Sequence, residues 1–161
     1  YGHHPIYSTG KRHGADLKLR EKLEPLLLGG DPAASLDSAR DKGAAGLGGE
    51  ETRGPLAGRS LSGVGTRVQL VLAGHDHIYQ RFHPQHGIVY FVCGSSGKLR
   101  RGNAEPDAQL AATEDGKHAF MLWEASAEQL QFRAIDEEGR VFDCGTITRE
   151  GQVIPETCPG L

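Results

Sequence analysis

Apolar positions change their spacing along this chain, and the change separates a helical part from a β part. Over residues 15–28, "ADLKLREKLEPLLL", Leu19, Leu23, Leu26 and Leu27 recur at intervals of three and four, with charged residues between them. That is the period of one helix face. Pro25 lacks an N–H and is expected to kink or loosen the last turn, and Gly29 and Gly30 are expected to stop the helix. Beyond residue 67 the apolar runs are short and predict strands. "VQLVLAG" (68–74) and "GIVYFVCG" (87–94) are continuous, as in strands buried on both faces. "HAFMLWEAS" (118–126), "QLQFRAID" (129–136) and "RVFDCGTIT" (140–148) follow, the last two joined by "EEG" as a tight turn. Residues 94–117 read as a polar, Gly-rich loop, and Phe120, Trp123 and Phe132 as core. The expected architecture is α/β or α+β, mostly β with one clear helix.

Between helix and strands the pattern lapses. Ten of the 38 residues from Gly29 to Thr66 are glycine and none is aromatic. Such a stretch buries too little apolar surface to offset its ordering entropy, and reads as a flexible insertion. The remaining length suits one domain within the 161 residues. A net charge of −3 argues against a nucleic-acid binder, and no apolar run approaches a membrane span. The chain starts at Tyr1, directly in a motif-like loop, and its one Met is Met121. It is therefore read as a piece of a longer protein that starts partway through a domain. Cys93 ends a strand and is expected to be a buried, inert thiol. Cys144 and Cys158 are either bridged or free, and the odd total of three leaves both open.

Five of the eight histidines fall in two short stretches, "YGHHPIYSTGKRHG" and "AGHDH". Neutral imidazole is the commonest ligand for transition metals, and a loop leaving a buried strand holds such ligands well. Gly74 permits a sharp turn, so His75 and His77 can project from one loop. Chance proximity of the two rings is the other reading of a His-x-His pair taken alone. The N-terminal stretch and "AGHDH" flank one helix and one strand-forming run, the order in which loops gather at one sheet edge.

"GHHPIYS" followed by "HG", a helix and an apolar strand ending in "GHDH" resembles the C-terminal half of the calcineurin-like metallophosphoesterases, nearest the purple (tartrate-resistant) acid phosphatase branch. The resemblance extends to "GIVYFVCGSSGK" and the closing strands. It implies a two-sheet sandwich flanked by helices. It also implies hydrolysis of phosphate esters, with monoesters slightly preferred, by attack of a metal-bound hydroxide at two ions of Fe, Zn or Mn. By that resemblance His3 and His75 would bind one metal and His77 the other. His13 would be a proton donor or phosphate anchor, with a spacing one residue longer than the family pattern. A secreted or periplasmic location is favoured on the same ground alone. His4 stands where the family often has an aromatic and is not assigned as a ligand.

The family's carboxylate motifs, Asp-x-His, Gly-Asp-x-x-Asp and Gly-Asn-His, do not occur in this sequence. Asp76 is no substitute, since it points away from its His neighbours in an extended loop. This chain alone is expected to bind metal weakly and hydrolyse little. The alternative is a non-catalytic binding or scaffold module on a degenerate phosphoesterase fold. Lys98, Arg100 and Arg101 are either a solvated loop or an anion-attracting rim, and Gly94–Gly97 is either a common Gly/Ser loop after a strand or a source of backbone N–H groups for an anion. His83 and His86 are read in a turn between strands, and His118 at a strand edge. Tyr7 either lines the pocket mouth or packs under the loop.

Overall fold

Asp16 opens the helix by accepting a hydrogen bond from the Leu19 N–H, which satisfies one donor of the first turn. The computed structural model describes residues 1–29 and 68–158. The Gly-rich insertion lies outside them except for Gly29. Helix α1 runs Leu17–Leu27, with Pro25 inside its last turn. Gly29, at φ +80°, closes it by donating to the Leu26 carbonyl. Of the leucine stripe, Leu19 and Leu27 pack on the core, while Leu23 and Leu26 remain exposed.

Eight strands follow: β1 (Leu70–Ala73), β2 (Tyr79–Phe82), β3 (Val89–Cys93), β4 (Leu110–Glu114), β5 (Ala119–Ala125), β6 (Gln129–Asp136), β7 (Val141–Thr148) and β8 (Val153–Pro155). They form two four-stranded sheets, ordered β1-β3-β2-β4 and β5-β6-β7-β8. In the first sheet β1 runs parallel to β3, and β2 is antiparallel to both β3 and β4. The second is an antiparallel meander.

The pleat of β3 organises the layers, because successive side chains leave opposite faces of a strand. Val89 and Phe91 meet Tyr79, Ala119, Phe132, Ala134 and Ile147 between the two sheets. Tyr90 and Val92 pack with Ile6, Tyr7, Phe82 and Ile88 beneath the N-terminal loop and α1. The fold is thus α+β, mostly β, with helix and loop on one side of a two-sheet sandwich.

Four expectations change. β1 is half-buried along its whole length, not buried on both faces, because it is an edge strand. Residues 94–117 are not all loop, since Leu110–Glu114 pairs with β2. The short β8 carried no strand signal. Phe120 is not core: β5 alternates, so Ala119 faces inward and Phe120 is 50% exposed. Phe132 is core, and Trp123 packs half-buried against it. The turns after β2 and at 137–139 occur as read, with positive φ at His86, Gly87 and Gly139. No helix among the described residues is long and apolar enough to cross a membrane.

Cys144 and Cys158 form a disulfide, which pins the segment after β8 to β7. Their separation of 14 residues predicts a contribution of about 3 kcal/mol in the chain-entropy model. The Cys144→Ala/Cys158→Ala variant should lose about that much in urea unfolding; unchanged stability would show that the bridge constrains nothing. Cys93 is free and half-buried, and burial pushes its thiol pKa up, as an inert thiol requires.

Candidate functional site

The site begins where β1 ends. The Gly2 N–H donates to the Leu72 carbonyl at 2.9 Å, and the Gly74 N–H donates to the His3 carbonyl at 3.1 Å. The N-terminal stretch therefore lies parallel to the end of β1, bridging at Gly2 and Ala73. This register puts His3 beside His75 although 72 residues separate them.

The loop after β1 turns tightly. The Asp76 N–H donates to the Gly74 carbonyl at 2.8 Å, closing a three-residue turn around His75, whose φ is +63°. A positive φ on a non-glycine residue costs on the order of 1–3 kcal/mol and tends to persist where surrounding structure imposes it. Here the turn sends the His75 ring outward and the Asp76 carboxylate inward.

His75 Nδ1 lies 3.1 Å from His3 Nε2. His4 joins them: each of the three rings offers a nitrogen, and these all lie within 4.8 Å of one another. The His4 and His75 ring centroids are 4.0 Å apart, and the His13 ring packs on His75 with its centroid 4.4 Å away. Partial burial, then the neighbouring His4, His13 and His3, lower the His75 pKa, and Asp76 opposes them. His77 is also lowered, first by burial and then by Lys98, Arg100 and His13. Both shifts favour the neutral ring, the form that binds metal. His77 Nδ1 is buried and has no hydrogen-bond partner.

The structure thus gathers His3, His75 and His13, all read from the sequence, and adds His4. His77, assigned to a second metal, stands outside the three-imidazole group. No carboxylate among the described residues joins that group. Three convergent imidazoles fit one transition-metal ion, whereas a second ion would have only His77 from the described residues.

Asp76 is fully buried and serves the loop instead. It accepts a hydrogen bond from the Ser8 hydroxyl. Gly10 lies over it so closely that a Cβ there would stand 2.6 Å from the carboxylate. Gly94, at the end of β3, packs on the Asp76 carbonyl, where a Cβ would come within 2.1 Å of the oxygen. Gly94→Ala must displace backbone, which typically costs about 1–3 kcal/mol. Its thermal unfolding should fall accordingly, with shifts in the His75 and His77 ring resonances. A silent substitution would show that this packing does not hold the loop.

The other residues resolve simply. Tyr7 packs under the loop rather than at a mouth. It is buried against Tyr90 with its hydroxyl donating to Glu24 at 2.7 Å, and burial first, then Glu24, raise its pKa to about 12. His118 sits just before β5, with Nδ1 2.7 Å from the Ser95 carbonyl. Arg101 turns away to donate to the Gly116 carbonyl. His4, not assigned as a ligand from the sequence, joins the group, and the Ser8–Asp76 bond escaped the sequence reading. The doubled histidine of "GHHP" was a signal for the first, whereas the second joins residues 68 apart.

No protein family model matches this chain, and no curated protein does. A solved structure does. The matching protein is described as GAP50, the anchor in the inner membrane complex of Plasmodium. It superposes with a TM-score of 0.54 at 16% identity, over 98% of this chain and 36% of that one. The two share a fold. This chain spans about a third of that protein's length, and at such identity the likeness speaks for the fold alone.

Proposed function

We propose that this chain carries the imidazole part of a metal-dependent phosphoesterase centre acting on phosphate monoesters. One observation carries the reading: His3 and His75, brought from distant segments, face each other at 3.1 Å with His4 beside them. Exposed histidines without a shared purpose have little reason to converge this way. His3, His75 and His4 would hold one ion, with Zn, Mn or Fe all compatible with imidazole. His77, neutral and with a buried unpaired nitrogen, is available to a second. Bound ions would supply Lewis-acid polarisation of a phosphoryl oxygen and lower the pKa of water. The chain's own contribution is to hold the rings neutral and oriented, through the Asp76 turn, and to present His13 at the rim as phosphate anchor or proton donor. Bridging carboxylates would have to come from outside the described residues.

The alternative, a binding or scaffold module without hydrolysis, is favoured by the lack of any carboxylate at the imidazole group among the described residues. Metal analysis separates the two. The full-length protein, purified without chelator, should retain about two ions per chain and hydrolyse p-nitrophenyl phosphate. Protein that retains no metal after incubation with Zn, Mn or Fe, and has no activity, would leave the scaffold reading standing.

A further inference from the structure

We propose that the open edge of β1 is an interface for one further β-strand of the polypeptide, parallel to β1, apolar on both faces and leading directly into Tyr1 and Gly2. The inference stands apart from what the histidines bind.

β1 lies at the end of its sheet, with β3 as its one strand neighbour. The Val89 N–H donates to the Gln69 carbonyl. Successive residues of a strand turn their backbone groups to opposite edges. Gln69, Val71 and Ala73 therefore serve β3, and Leu70 and Leu72 turn theirs outward. An edge of this kind presents a row of N–H and C=O groups ready to pair.

That row is already engaged at one end. The Gly2 N–H takes the Leu72 carbonyl at 2.9 Å, and Gly2 lies opposite Ala73 in the parallel sense. Followed backwards, this register sets Tyr1 opposite Leu72, and the two positions before it opposite Val71 and Leu70. The outward Leu72 N–H then faces the carbonyl just before Tyr1.

The surroundings suit a strand with two apolar faces. Toward the second sheet, a cleft of about 330 Å³ is lined by Tyr1, Leu72, Phe91, Met121 and Trp123. Toward α1, a cleft of about 530 Å³ is lined by Ile6, Leu19, Leu23, Leu27 and Leu70. Gly2 and Ala73 border both, so the two clefts flank one line along β1. Side chains of a strand on that line enter them alternately. Neither cleft is lined by Asp, Glu, Lys or Arg, so apolar residues belong on both faces, as in parallel strands generally. A second copy fits less well. Two β1 edges related by a two-fold axis would pair antiparallel, against the sense that Gly2 sets. The solved structure that shares this fold carries it as 36% of a longer chain. The added strand also gives His3 and His4 the rooted start that β1 gives His75, at the carboxyl ends of neighbouring parallel strands.

The test is amide hydrogen exchange in the full-length protein, resolved by residue. The Leu70 and Leu72 amides are expected to exchange within about tenfold of Val71 and Ala73, at every protein concentration. Nuclear Overhauser contacts should run from them to the residues directly before Tyr1. Leu70→Pro removes the outward N–H and spares the bonds to β3, whereas Leu70→Ala removes only side-chain packing. The thermal midpoint of the proline variant should lie roughly 5 °C below that of the alanine variant. Exchange at Leu70 and Leu72 about a hundredfold faster than at their neighbours, or a proline variant no worse than alanine, would show a free edge and overturn the proposal. Protection that fades on dilution would assign the edge to a second copy, and contacts to any other segment would assign it elsewhere. Either result overturns it as well.

Discussion

His75→Ala is expected to weaken metal binding at least about 100-fold, beyond the 10–100-fold typical of losing a residue that only supports a ligand. The ring stands at the centre of the group, within contact of His3, His4 and His13. Its removal leaves the three-imidazole group with only His3 and His4, both from the N-terminal loop. The complication is the backbone, because φ at this residue is +63°. Alanine carries the same strain as histidine there, whereas glycine adopts it freely. His75→Gly should therefore lose metal to the same extent while remaining at least as stable as the wild type. Competition titration against a chromophoric Zn chelator, with thermal unfolding in parallel, reads both quantities. If either variant retained wild-type affinity, the imidazole group would not be a metal site.

Asp143→Ala is expected to cost about 3–5 kcal/mol, the usual result of stripping one partner from a buried charge pair. Asp143 on β7 accepts from Arg81 Nε at 2.8 Å, from a second Arg81 nitrogen at 2.9 Å, and from the Tyr79 hydroxyl at 2.6 Å. Both partners sit on β2, so this cluster joins the two sheets across the core. Burial works against the Arg81 charge, but its hydrogen bonds to Asp143 and the carboxylate charge prevail and raise its pKa. Burial and then Asp143 raise Tyr79 well above an ordinary tyrosine, so its hydroxyl stays a donor. Without the carboxylate, a buried guanidinium and hydroxyl lose their acceptor together. For a chain of this size the midpoint of thermal unfolding should fall by about 10 °C. The effect reaches the site, because β2 follows directly on His77 and Ile78 and carries Gln80, which accepts from the Thr9 N–H at 3.0 Å. A drop of less than about 1 kcal/mol would show that water reaches Arg81 and that the pair is not sealed.

How much of this was legible in the sequence follows from the range of each interaction. Helix α1, the buried β3 and the turn at 137–139 depend on neighbours within a few residues, and the sequence by itself determined them through apolar period, an apolar run and a glycine able to take positive φ. The histidine pattern likewise marked both loops of the candidate site. Strand order was decided only in the folded chain. "VQLVLAG" and "GIVYFVCG" look alike, yet one became an edge and the other a centre, since only pairing tells how many neighbours a strand has. Phe120 faces outward because the partner of β5 sets which half of its alternation is covered. The meeting of His3, His4 and His75, the inward turn of Asp76 onto Ser8, and the Cys144–Cys158 bridge are likewise tertiary. Each joins side chains whose separation along the chain carries no local signal, and only packing of one segment beside another brings them within reach.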